Sequence, residues 1–150
     1  MKSINRREAL ALGSAVSGAI LFAPLGAFAA GSTAMSVMKE FTGGKATSEG
    51  KITLEMPEIA ENGNTVPLTV SVDSPMTSDN YVKRVIVIAE GNPRPEVITF
   101  NFTPRSGVAE ASTRMRLAKT QNVAAIAEMS DGTFHMTRAQ VKVTIGGCGG

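Results

Sequence analysis

Val66-Pro67-Leu68-Thr69-Val70-Ser71-Val72-Asp73 alternates apolar and polar side chains without a break. A period of two puts Val66, Leu68, Val70 and Val72 on one face of an extended chain and the polar residues on the other. The stretch predicts a strand covered on one side. The same period recurs from Lys51 onward. Ile98, Phe100 and Phe102 share a face of I-T-F-N-F-T, Met115 and Leu117 oppose Arg114 and Arg116, and Val141, Val143 and Ile145 line the last run. Turn chemistry separates these runs: E-N-G-N, D-S-P-M, E-G-N-P-R-P, P-R-S-G and S-D-G. About seven strands with this punctuation predict an all-β chain, an antiparallel β-sandwich of immunoglobulin-like type. With one Cys and no Trp, the buried Cys…Trp…Cys arrangement of antibody domains is missing.

Two runs depart from alternation. V-I-V-I-A (Val85 to Ala89) and V-A-A-I-A (Val123 to Ala127) are apolar on both faces, so both of their faces must be covered. One candidate cover is a short amphipathic helix in S-T-A-M-S-V-M-K-E-F-T-G-G. There Ala34, Met38 and Phe41 have helical spacing, Ser32 or Thr33 can cap the start, and Gly43-Gly44 can stop the end. The other is a partner subunit. The expectation leans to the partner, because one short helix shields little of a sheet.

Residues 1–29 read as an export leader rather than as part of the fold. Lys2, Arg6 and Arg7 precede a Gly/Ala-rich apolar run, and Ala27 and Ala29 have the spacing of a signal peptidase site. The Arg6-Arg7 pair with Leu10 points to twin-arginine export. Ala9 and Ala11 stand where that signal usually has Phe and Lys, which keeps ordinary secretion as the competing route. Pro24 and the glycines argue against a membrane span. Cleavage would remove three of the 15 cationic residues and one of the 13 anionic ones, leaving 12 of each. A neutral mature chain gives no electrostatic reason to expect nucleic acid as a partner. The expected organisation is a leader at 1–29, one sandwich with its helix at 30–145, and a terminal arm at 146–150 in a periplasmic protein.

The arm holds the chain's only cysteine: Gly146-Gly147-Cys148-Gly149-Gly150. A thiol between four glycines has no neighbouring side chains to enclose it, so it is not a core residue. A single Cys in an exported chain implies intermolecular pairing or a reactive thiol. Three uses follow. Cys148 can carry a covalent adduct on a slim arm, an extended reach of about 10 Å from Ile145. It can act as a catalytic nucleophile, though the lone His135 lies ten residues upstream of Ile145 and cannot orient a sulfur on a loose tail. It can form an intermolecular disulfide in a structural or assembly protein. One Cys and one His are too few for a zinc site, so no metal is expected.

The ending V-K-V-T-I-G-G-C-G-G resembles that of the SoxY family, carrier subunits of the bacterial sulfur-oxidation system. I-A-E-N-G-N-T-V-P-L, V-D-S-P-M-T, Y-V-K-R-V, G-N-P-R-P, S-T-R-M-R-L-A and Q-N-V-A-A-I-A extend the likeness over essentially the whole chain. The resemblance implies an immunoglobulin-like, non-catalytic thiosulfate carrier with Cys148 as the attachment point and Gly146, Gly147, Gly149 and Gly150 as its arm. It implies a heterodimer with a SoxZ-type β-sandwich. It also implies transient docking to a SoxXA-type haem cytochrome, a SoxB-type manganese hydrolase and, in some organisms, a SoxCD-type molybdenum–haem dehydrogenase. The carrier would have no cofactor of its own; the metals would belong to the partners.

Overall fold

The computed structural model describes residues 33–146. The expected leader (1–29) and, within the expected arm, Gly147, Cys148, Gly149 and Gly150 lie outside the described residues.

The first element among the described residues is helix α1 (Ala34–Thr42). Thr33 is its N-cap, the hydroxyl accepting from the Ser36 N–H at 3.3 Å. Gly43 ends it in the left-handed region at φ 62°, a conformation that a side chain would strain. Nine strands follow: β1 (Thr47–Ser48), β2 (Ile52–Glu55), β3 (Ile59–Asn62), β4 (Val66–Val72), β5 (Val82–Ala89), β6 (Glu96–Asn101), β7 (Ala109–Met115), β8 (Gln121–Met129) and β9 (Phe134–Ile145). One sheet runs β1-β9-β8-β5-β6, with β3 also on β9; the other runs β2-β4-β7. The all-β sandwich expected from alternation is present, with β4 spanning the opening stretch in a strictly alternating burial pattern.

Three features differ from expectation. Nine strands replace about seven, since β1, β2 and β3 are short. E-N-G-N is only partly a turn, because Glu61 and Asn62 end β3. The pairing is not antiparallel throughout: β1 and β3 both run parallel to β9. Parallel partners cannot be joined by a tight hairpin: β3 arrives from β2 of the other sheet, and β1 follows α1 on the outer face of its own sheet.

The cover on the doubly apolar strands comes from the chain itself. β5 and β8 pair antiparallel, Ile86 opposite Ile126 and Ile88 opposite Ala124. These four side chains face α1 and pack with Val37, Phe41 and Phe134. The alternate residues Val85, Val87, Ala125 and Ala127 face the three-stranded sheet. The helix therefore supplies what was expected of a partner subunit. It shields more than its length suggests because aromatics extend it. Phe41 meets Phe134 edge-to-face at 6.1 Å, and the Arg84 guanidinium lies 4.4 Å from the centre of the Phe41 ring.

The core between the sheets has two parts. One surrounds Val70, Val82 and Val85; the other surrounds Leu68, Val87, Leu117 and Val141. The second part underlies the end of the sandwich from which the arm leaves. Among the described residues, no helix is long and apolar enough to cross a membrane.

Candidate functional site

The arm begins where β9 ends, and the end of β9 is fastened from several directions. On one edge β3 pairs with it, Ala60 opposite Val143 and Asn62 opposite Ile145. The Gly63 N–H then donates to the Ile145 carbonyl at 2.8 Å, while the Gly63 carbonyl accepts from the Leu117 N–H at 2.7 Å. On the other edge β8 pairs with β9 only as far as Gln121 opposite Val141. Beyond that point a side chain takes over. The Thr120 hydroxyl accepts from the Val143 N–H at 2.9 Å and donates to the Val143 carbonyl at 3.4 Å.

The segment from Arg116 to Thr120 thus wraps the root of the arm, and a buried amide pair shapes it. Asn92 donates through Nδ2 to the Arg116 carbonyl at 2.8 Å and accepts through Oδ1 from the Ala118 N–H at 3.0 Å. Gln121 donates through Nε2 to the same Asn92 oxygen at 2.8 Å and to the Lys119 carbonyl at 3.1 Å; its own oxygen accepts from the Gly91 N–H at 2.7 Å. Both residues are buried, so these bonds carry the cost of desolvating the two amides. Leu117, fully buried, plugs the segment into the core.

Gly146, the first arm glycine, lies against this segment. A Cβ at that position would collide with the Ala118 carbonyl oxygen. The residue must be glycine for close approach, a role distinct from reach. The strand end beside it exposes Ile145 (69%), and Ile59 on β3 is 61% exposed. Gly147, Gly149, Gly150 and Cys148 lie outside the described residues, so the geometry defines the arm's base.

His135 is remote from this base. It sits near the start of β9, opposite Ser48 of β1 and Ala127 of β8, half-buried and with Nδ1 enclosed without a hydrogen-bond partner. Ten residues of strand separate it from Ile145, about 33 Å, against an arm reach of about 10 Å. The structure does not bring it to the arm's base. Among the described residues, no group of three His, Cys, Asp or Glu side chains is placed to hold a metal.

Sequence reading missed the builders of the site: Gly63, Asn92, Thr120 and Gln121. E-G-N-P-R-P is a turn, as its residues predict, but its buried Asn92 carries no periodic signal. A polar residue becomes legible as a clamp only when the fold buries it.

Comparisons with known proteins agree with this architecture. The family model described as sulfur oxidation protein SoxY matches residues 38–148. Comparison with the curated proteins finds no match. Among solved structures, the sulfur carrier protein SoxY from Chlorobium limicola f thiosulfatophilum is similar at 32% identity and a TM-score of 0.63, covering 74% of this chain and 96% of that one. A superoxide reductase (neelaredoxin) from Ignicoccus hospitalis is similar in fold, with 19% identity, a TM-score of 0.56, and coverage of 63% and 80%. A superoxide reductase from Nanoarchaeum equitans has 13% identity, a TM-score of 0.55, and coverage of 65% and 100%.

Proposed function

Because this chain belongs to the SoxY sulfur oxidation family, we propose that it carries thiosulfate and its oxidation products as covalent adducts on Cys148. The observation that carries this reading is the base of the arm. The family match runs through Cys148, and that cysteine follows two residues after a glycine fitted against Ala118, on a strand end fastened by Gly63 and Thr120. A rigid root with a side-chain-free arm suits presentation. The body fixes where the arm starts, and the glycines let the sulfur enter narrow sites on other proteins. Tethering keeps small anions at high effective concentration between successive reactions.

The carrier itself performs no turnover in this reading. His135 is too far away to activate the thiol, so bond making and breaking fall to partner enzymes. Thiosulfate is joined to Cys148 oxidatively by a haem cytochrome, which takes the electrons. A manganese hydrolase releases the terminal sulfonate as sulfate, and a molybdenum–haem dehydrogenase, where present, oxidises the sulfane sulfur left behind. Pairing with a SoxZ-type sandwich, periplasmic location and twin-arginine export complete the proposal. The doubly apolar strands β5 and β8 are covered by α1, so that pairing rests on the family and not on those strands.

The test is a reconstituted thiosulfate-oxidising system. Cys148→Ser is expected to reduce turnover to background while the thermal melt is unchanged, and intact mass of the wild-type chain under turnover is expected to report sulfur adducts confined to Cys148. Undiminished turnover by the variant would refute the carrier role. A disulfide-linked dimer that forms regardless of substrate would favour the assembly reading instead.

A further inference from the structure

Asn62-Gly63 is the chain's one asparagine followed by glycine. Such a pair deamidates more readily than any other asparagine sequence. Glycine has no side chain to keep its backbone nitrogen away from the asparagine's side-chain carbonyl. The other described asparagines precede threonine, tyrosine, proline, phenylalanine or valine, which hinder the approach or lack the N–H. The fold sets this one labile pair at the root of the arm. Asn62 ends β3 opposite Ile145 and is exposed, while Gly63 is buried.

The two reacting groups there are held differently. The Asn62 side-chain oxygen accepts from the Asn64 N–H at 2.9 Å. During attack that oxygen gathers negative charge, and an N–H already aimed at it stabilises the developing oxyanion. The electrophile is armed, and its exposure admits water. The nucleophile is restrained. Gly63's nitrogen attacks only after losing its proton, and that proton is donated to the Ile145 carbonyl at 2.8 Å. The Gly63 carbonyl accepts from the Leu117 N–H at 2.7 Å, which fixes the turn from its other side. Asp131-Gly132 offers a contrast. The Asp131 carboxylate accepts from the Thr133 N–H at 2.9 Å, and the Gly132 N–H donates to the Met129 carbonyl at 3.0 Å. Those bonds lie within one hairpin, so the arm's root does not govern them.

We propose that Asn62 is a deamidation site gated by the strand end that carries the arm. The amide survives while the Ile145 carbonyl holds the Gly63 N–H, and it is lost when that end loosens. The Gly63 nitrogen, deprotonated by hydroxide, attacks Cγ of Asn62. A C–N bond forms, the Cγ–Nδ2 bond breaks, and ammonia leaves with a proton taken back from water. Water then opens the succinimide at either carbonyl, leaving aspartate or isoaspartate at position 62. Either product adds a negative charge. Isoaspartate also adds a methylene to the main chain, so Gly63 no longer meets Ile145 and Leu117 in register. One conversion unfastens the root. The gate is independent of what Cys148 carries.

The test incubates full-length mature protein in mildly alkaline buffer and follows each site by peptide mapping with isoaspartyl methyltransferase labelling. Conversion at Asn62 is expected to be at least tenfold slower in the folded wild type than in the same protein in urea. Gly146→Val forces the strand end away from the Ala118 carbonyl, so it is expected to convert Asn62 several-fold faster than wild type. Isomerisation at Asp131 is expected to stay at the wild-type rate. Thr120→Val removes the clasp on Val143 from the other edge and is expected to accelerate Asn62 in the same direction. It decides alone if Gly146→Val does not fold. In the converted fraction the Leu117 N–H is expected to lose its protection from hydrogen exchange. Equal rates in folded and urea-unfolded protein would overturn the proposal, as would wild-type rates in the folded variants. Equal acceleration at Asn62 and Asp131 would also overturn it, by assigning the effect to general loosening. Leu117 protection retained after conversion would overturn the loss of the root's fastening.

Discussion

Asn92 has both ends of its amide occupied by the backbone of the segment that wraps the arm's root, and Gln121 shares its oxygen. Replacing it with alanine strands the Arg116 carbonyl, the Ala118 N–H and one Gln121 donor in a dry place. Each unsatisfied buried group costs about 1–3 kcal/mol, so Asn92→Ala is expected to lower unfolding free energy by about 3 kcal/mol in urea titration. It should also reduce partner turnover by loosening the base from which the arm departs. Gly146 poses a steric rather than a polar problem. Gly146→Val drives Cβ into the Ala118 carbonyl, so the strand end or the wrapping segment must move. Turnover of thiosulfate in the reconstituted system is expected to fall at least tenfold for Gly146→Val, with a melt lowered by a few degrees. An unchanged rate would mean that the root need not be fixed.

At the level of elements, α1 contributes more by what it covers than by its own stability, since a nine-residue helix is marginal alone. Phe41 is its anchor, packed on Ile86, Ile126 and Phe134 in one cluster. Phe41→Ala is expected to destabilise the protein by about 3 kcal/mol and to expose the apolar outer face of β5 and β8, read as increased dye binding and self-association. Beside the helix, Glu128 on β8 holds Lys83 and Arg84 on β5. Burial pushes its carboxyl up, but hydrogen bonds from Arg84 and Lys83, together with their charges, outweigh that and hold it below its ordinary range. A depressed folded value means that the stabilisation is present above the range where a free glutamate protonates, near 4.5, and is lost as pH falls through the folded value. Glu128→Gln is expected to flatten the acid limb of the stability curve below that point; identical wild-type and variant limbs would assign acid sensitivity elsewhere. Both cations are about half exposed, so salt should weaken the effect.

For the whole molecule, the three apolar clusters draw on residues from Ala34 to Val143. A chain ending at Gly146 is therefore expected to melt within about 2 °C of the full protein while losing all carrier activity. A large drop would place the terminal residues in the fold. The strand alternation of β4 and β7 and the cap and stop of α1 were legible, because each depends on spacing between near neighbours. In β9 the period of two held for Val141 and Val143 but not for Ile145, which the strand end leaves exposed. The cover on Val85–Ala89 and Val123–Ala127 was legible only as a need. Burial on both faces is written in the runs themselves, whereas the identity of the covering element depends on where the chain returns.

The sequence by itself determined the sandwich, the helix and the one thiol, since period, turn chemistry and composition act locally and survive without coordinates. Only the tertiary structure decided that β3 and β1 run parallel to β9, that α1 closes the outer face, and that Asn92, Gln121, Gly63 and Thr120 fasten the arm's root. The reason is physical. These contacts join residues far apart along the chain, and a polar side chain becomes a clamp through burial and neighbours, which no periodicity records.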